Sequence, residues 1–206
     1  MQNAALTVFV VDDDEAIRAS LVRGLSLRGY HVEAFEAAGD FLAAWEDRRP
    51  GCLVLDYGLP GPNGLELQRH LNAIGAQLPV IFITGHGGVP ESVQAMKGGA
   101  LDFLEKPFRH SELVERIEAA FALQRERLAA QHSLQQQQAR LQRLTARELE
   151  VVQHIMAHPA ETSSKEIAAR LAISPRTVDH HRARIMEKLG LRSVAEILAW
   201  GRSGQI

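Results

Sequence analysis

Five short apolar runs alternate along this chain with stretches of helical period, and four of the runs stop abruptly at polar or charged residues. The runs are Thr7-Val8-Phe9-Val10-Val11, His31-Val32-Glu33-Ala34-Phe35, Cys52-Leu53-Val54-Leu55-Asp56, Pro79-Val80-Ile81-Phe82-Ile83-Thr84 and Leu101-Asp102-Phe103-Leu104-Glu105. Apolar strands bounded by turns, as Pro50-Gly51 and Gly58-Leu59-Pro60-Gly61 bound the third, belong in a parallel sheet covered on both faces. Between them, Ile17, Leu21, Val22 and Leu25, then Phe41, Leu42 and Trp45, then Leu65, Leu67 and Leu71, then Val93 and Met96, recur at helical spacing. Five βα units in a row imply right-handed crossovers and an α/β domain with helices on both sides of the sheet.

The strand ends carry the chemistry. Asp12 and Asp13, Asp56, Thr84 and Lys106 all fall at carboxyl ends of strands, the edge where open α/β sheets bind ligands. Three carboxylates in one crevice repel unless a cation joins them, and an all-oxygen donor set favours Mg²⁺. With the ion in place Asp56 becomes a nucleophile toward phosphorus, Lys106 neutralises phosphoryl oxygens and the Thr84 hydroxyl donates to one. Asp14 is read as the cap of the first helix. Cys52, the single cysteine, is read as core packing. Tyr57, Gly58 and His86 stand near the site in passive roles.

Together, Val11-Asp12-Asp13, Asp56 followed by Pro60 and Gly64, Ile83-Thr84-Gly85 and Phe103-Leu104-Glu105-Lys106-Pro107-Phe108 resemble the receiver domain of two-component response regulators, over residues 6 to about 122. The resemblance implies a flavodoxin-like (βα)5 doubly wound fold in which Asp56 accepts a phosphoryl group from a sensor histidine kinase. It further implies Mg²⁺ held by Asp12, Asp13, Asp56 and the Gly58 carbonyl, a switch pair of Thr84 and Phe103, and a cis Lys106-Pro107 bond.

Charge divides the chain. Residues 1–122 hold 10 Lys and Arg against 17 Asp and Glu, whereas residues 123–206 hold 13 against 8. An acidic half suits a cation and a basic half suits DNA. Three segments are expected: a receiver over 1–122, a Gln-rich helical linker over 123–143, and a DNA-binding domain over 144–206. The first ends in a helix whose apolar face holds Leu113, Ile117, Ala120 and Phe121. The linker lacks Gly and Pro, and Ala120, Leu123, Ala130, Leu134, Leu141 and Leu144 form a heptad seam interrupted by Arg127 and Gln137, which is read either as a contact for a homodimer formed on phosphorylation or as a solvated Gln-rich linker.

From Leu144 the pattern changes to short capped helices. Thr145 and Glu148 have capping-box spacing, and two helices flank Ala172-Ile173-Ser174 as in a helix-turn-helix. Val178, Ile185 and Leu189 form the buried face of the second of these. Leu-Thr-x-Arg-Glu, Lys-Glu-Ile-Ala and Ser-Pro-Arg-Thr-Val-x-x-His make residues 144–200 resemble the LuxR-type domain of the FixJ/NarL response regulators. That resemblance implies base contacts from Asp179, His180 and Ala183 and phosphate contacts from Lys165, Thr177, Arg182, Arg184 and Lys188, with Arg176 also on the open face. Ala157-His158-Pro159-Ala160-Glu161-Thr162 departs from the family as a longer first connection.

The expected protein is a cytoplasmic transcription factor with DNA and RNA polymerase as partners, with no membrane span and no enzymatic activity. A haloacid-dehalogenase-type phosphatase wants a second carboxylate two residues after the nucleophile, and Gly58 stands there. The other alternative is a regulator working through phosphorylation-independent dimerisation or partner binding.

Overall fold

The computed structural model describes residues 6–45, 49–85 and 89–202. The chain divides into two compact units, one ending at Leu128 and the other beginning at Ala129. In the first, strands β1 (Thr7–Val11), β2 (His31–Phe35), β3 (Gly51–Asp56), β4 (Val80–Thr84) and β5 (Asp102–Glu105) alternate with helices α1 (Glu15–Ser26), α2 (Ala38–Ala44), α3 (Gly64–Ala73), α4 (Val89–Lys97) and α5 (His110–Leu141). Every strand pairing is parallel, in the order β2-β1-β3-β4-β5. This is the doubly wound, flavodoxin-like sheet that the alternation of apolar runs implied.

The period-2 geometry of strands explains why these runs are apolar throughout. Phe9, Val11, Leu53, Leu55 and Phe82 point to one face, where Phe41, Trp45, Leu67 and Leu71 cover them. Val8, Val10, Cys52, Val54, Ile81 and Ile83 point to the other, under Leu21, Leu25, Leu113, Ile117 and Phe121. Cys52 is fully buried, and burial pushes its thiol pKa up, as core packing requires.

Gly51, read from the sequence as part of a turn, is the first residue of β3 and pairs with Thr7. A Cβ there would stand 2.1 Å from the Thr7 carbonyl oxygen, so only glycine admits the close approach of β1. Asp14 caps α1 as expected, its carboxylate accepting from the Ala16 and Ile17 amides at 2.8 and 3.1 Å. Helix α5 runs unbroken to Leu141 through the Gln-rich stretch. Among the described residues no helix is long and apolar enough to cross a membrane.

The second unit contains α6 (Ala146–Ala157), α7 (Ser164–Leu171), α8 (Pro175–Leu189) and α9 (Val194–Arg202), packed around Val151, Val152, Ile155, Ile167, Val178, Ile185, Leu189 and Ile197. Thr145 and Glu148 form the expected capping box, Ser163 and Glu166 form another, and Ser174 caps α8 ahead of Pro175. Ala172 turns the chain between α7 and α8 with φ 52° and ψ 45°, a left-handed conformation that costs a non-glycine residue about 1 kcal/mol. The longer first connection is absorbed as a turn. His158 caps α6, the Glu161 amide donates to its carbonyl at 3.0 Å, and its ring stacks on His154 at 4.7 Å between centroids. Helix α7 then starts at its ordinary cap.

Candidate functional site

Sheet order sets the first site. β1 and β3 are neighbours although β2 lies between them in sequence, so the crossovers diverge at this pair and leave a crevice beyond its carboxyl end. Val11 pairs with Leu55, which brings Asp12 and Asp56, the next residue of each chain segment, side by side. Thr84 ends β4 and pairs with Glu105, and the Lys106 amide donates to the Thr84 carbonyl at 2.7 Å. Register thus delivers all four groups to one edge.

Lys106 joins them. Its Nζ donates to Asp12 Oδ2 and to Asp56 Oδ1, each at 2.7 Å. The Asp14 amide donates to Asp12 Oδ1 at 2.9 Å and the Gly58 amide to Asp56 Oδ2 at 2.7 Å. Asp12 is fully buried, Asp56 is 6 % exposed and Thr84 3 %. Burial raises the Asp12 pKa, and the Lys106 hydrogen bond opposes this without cancelling it. Burial also works against the Lys106 ammonium, but the bonds to Asp12 and Asp56 outweigh it and hold its pKa above the ordinary lysine value. Two carboxylates against one ammonium leave the crevice negative when all are ionised.

Asp13 departs from the expected cluster. Its side chain is exposed, and among the described residues no three acids converge in a metal-holding group. Arg18, absent from the sequence reading, donates from Nη1 to the Asp12 and Asp13 carbonyls at 2.8 Å each and pins the acidic loop. The signal was weak, an arginine one turn into α1 after three acids.

Phe103 is half-buried, and Tyr57 stands between it and the core, with ring centroids 6.5 Å from Phe103 and 6.0 Å from Phe82. Tyr57, the residue after Asp56, thus has its ring beside those of both Phe82 and Phe103. The Lys106-Pro107 bond is cis, as the resemblance implied. His86 lies outside the described residues. Gly64 opens α3 directly beneath the site, where a Cβ would stand 2.6 Å from the Asp56 carbonyl oxygen.

In the second unit α8 buries Val178, Ile185 and Leu189 and leaves Arg176, Asp179, His180, Ala183 and Arg184 exposed, as Lys165 is on α7. Thr177 is half-buried and its hydroxyl is 2.7 Å from that of Ser174. Arg182 is also half-buried and donates to Ser164 Oγ at 3.0 Å. Lys188 is placed differently from the sequence reading. Its Nζ donates at 2.6 Å to Glu148 Oε2, a carboxylate buried under the core, so it neutralises that acid rather than standing open to phosphate. Burial opposes ionisation of Glu148, but the bonds from Lys188 and Thr145 win and its pKa lies below the usual glutamate value.

A parallel sheet with an acid–lysine crevice at its carboxyl edge, followed in the chain by a capped helix-turn-helix with a basic open face, defines a signal-receiving DNA-binding protein. Residues 8–118 match the response regulator receiver domain, and residues 142–200 match the bacterial regulatory proteins of the luxR family. The chain is 42 % identical to the transcriptional regulatory protein TdiR of Thauera aromatica, over 94 % of this chain and 84 % of that protein. It is 40 % identical to the transcriptional regulatory protein FixJ of Rhizobium meliloti, over 96 % of each. Among solved structures, the response regulator StyR covers 97 % of this chain and is itself covered completely, with 41 % identity and a TM-score of 0.88. Full-length FixJ from B. japonicum covers 99 %, also matched over its whole length, with 36 % identity and a TM-score of 0.58. The chain therefore belongs to the NarL/FixJ family of response regulators. It is a DNA-binding response regulator of a two-component system, of a family of transcription regulators rather than enzymes.

Proposed function

We propose that Asp56 is the phosphoacceptor through which a sensor histidine kinase controls this regulator. An Asp56 carboxylate oxygen attacks the phosphorus of a phosphohistidine, the N–P bond breaks, the imidazole keeps its electron pair, and an acyl phosphate forms on Asp56. Lys106, already 2.7 Å from Asp56 Oδ1, is the observation that carries this reading, because its ammonium can follow the charge onto a phosphoryl oxygen. Thr84 donates to another phosphoryl oxygen, and Phe103 reports the change with it.

Receiver domains generally bind Mg²⁺ at this site, and the donor set here, carboxylates and a carbonyl, suits a hard cation. Asp12, Asp13, Asp56 and the Gly58 carbonyl would hold it, Asp13 by turning inward from its exposed position. Bound there, Mg²⁺ supplies charge neutralisation of the phosphoryl oxygens. Two copies then pair, along the seam of α5, and place two α8 helices in successive major grooves. Lys165, Arg176, Thr177, Arg182 and Arg184 hold phosphates, while Asp179, His180 and Ala183 face bases. Lys188, tied to Glu148, drops out of the phosphate set. The protein works in the cytoplasm and passes the signal to RNA polymerase. The test is the intact mass after incubation with a small-molecule phosphodonor and Mg²⁺. A single phosphoryl adduct is expected in the natural chain and none in Asp56→Asn, and an adduct surviving in that variant refutes the assignment.

A further inference from the structure

Ser164 makes a contact that helix capping does not need. Ser163 is the N-cap of α7 and forms the capping box with Glu166. The neighbouring hydroxyl, on the first residue of the helix, turns instead toward α8. Ser164 Oγ donates to Asp179 Oδ1 and accepts from Arg182 Nη1 at 3.0 Å. Its single proton and a lone pair are thus both committed, one to an acid and one to a base three residues apart on the same helix.

An exposed aspartate on a surface meant for a polyanion costs affinity through repulsion by phosphates. A gain in base discrimination offsets that cost when the carboxylate is held still. A carboxylate only accepts, so in the major groove it needs an exocyclic amine. Cytosine presents the N4 amine without a neighbouring acceptor. Adenine places N7 beside N6, while guanine and thymine present acceptors that repel the carboxylate. Left alone, Asp179 and Arg182 would pair directly at i,i+3 spacing and move together with α8's solvent-facing side chains. The Ser164 hydroxyl instead fixes both to a second helix.

We propose that Ser164 is a positioning residue for sequence reading, orienting Asp179 to accept from a cytosine amine and so imposing cytosine at one operator position. The inference rests on the assignment of α8 as the DNA-reading helix and names what one part of it reads. The experiment is selection from random duplex DNA by the full chain with phosphodonor and Mg²⁺, repeated for Asp179→Ala, Ser164→Ala and Ser164→Thr, with the salt dependence of binding measured for each.

In the natural chain one position is expected to favour cytosine by about tenfold. That preference should fall to about twofold in both alanine variants and return in Ser164→Thr, which keeps the hydroxyl. The salt slope of Ser164→Ala should match the natural chain, because Arg182 keeps its charge and an unchanged slope also reports a folded domain. An undiminished cytosine preference in Ser164→Ala overturns the role of Ser164, as does selection of guanine or thymine at the position that Asp179→Ala relaxes. Failure of the natural chain to enrich any sequence would instead overturn the assignment of α8 itself.

Discussion

Lys106 and Asp56 lie 50 residues apart in sequence and 2.7 Å apart in space, and the same ammonium is 2.7 Å from Asp12. One cation therefore holds two carboxylates at the carboxyl edge of the sheet. Replacing Lys106 by alanine leaves them facing each other in a buried crevice. The first unit is expected to lose about 3 kcal/mol at neutral pH, the order found when one partner of a buried pair is removed. Burial already raises the Asp12 pKa, so the group binds a proton more readily folded than unfolded. Its ionisation opposes folding, and the penalty in Lys106→Ala should shrink as pH falls and Asp12 protonates. Urea unfolding at neutral and acid pH checks this, and a penalty that does not shrink with acid refutes it.

Gly64 and Gly39 make an opposed pair of predictions. A Cβ on Gly64 would meet the Asp56 carbonyl oxygen at 2.6 Å and Phe82 Cε1 at 2.8 Å, both in the core beneath the acceptor. Gly64→Ala is expected to cost about 2 kcal/mol through overpacking and to slow phosphodonor labelling by displacing Asp56. Gly39, inside α2, has nothing within 4 Å of the same atom. Gly39→Ala should stabilise the chain by about 0.5 kcal/mol through helix propensity, with labelling unchanged. Equal melting shifts in the two variants would contradict the contact argument.

Much of this was legible in the sequence, and the division is physical. Strands buried on both faces declare themselves as apolar runs, so β1, β3 and β4 and the residues at their ends could be read directly. Local hydrogen bonds are equally readable: Asp14 and Thr145 cap their helices from fixed offsets. Contacts between elements leave no such trace. Nothing around Lys188 announces Glu148, 40 residues earlier, and nothing around Ser164 announces Asp179 and Arg182. For the same reason Lys188 reads as one more open cation, and Gly51 reads as a turn although it is the first residue of β3, beside Thr7 of β1.

Glu148 gives the second unit its own acid sensitivity. Its pKa is held below the usual value by Lys188 and Thr145 in spite of burial, so the folded state binds fewer protons there than the unfolded state. The stability it contributes is present above the ordinary glutamate range and is lost as pH falls through the folded value. Glu148→Gln is expected to cost about 2 kcal/mol at neutral pH, and the gap from the natural chain should close as pH falls through and below the ordinary glutamate range. Thermal melts of both proteins across that range decide it, a constant gap being the contrary result.

The α5 seam is tested by changing its phase. Leu134 is exposed at 37 % on a helix that runs unbroken to Leu141, as a contact awaiting a second copy would be. Inserting two residues after Gln136 turns the following side chains by about 200°, while inserting seven returns them almost to register. Phosphodonor-dependent dimerisation and DNA binding should fail with two and survive with seven. Sedimentation reads the first, and identical behaviour of the two insertions would exclude a seam.

Arg182 and His180 separate affinity from specificity on the same helix. Arg182 is proposed to hold phosphate, so Arg182→Ala is expected to weaken binding to every DNA sequence and to reduce the salt slope by about 1. The half-buried arginine also holds Ser164, so its loss should relax sequence preference at the Asp179 position as well. His180 is exposed, its ring 6.3 Å from that of His181 between centroids, and it is proposed to face bases. His180→Ala should change sequence preference at one position while the salt slope stays that of the natural chain. A slope that falls in His180→Ala and holds in Arg182→Ala would exchange the two roles.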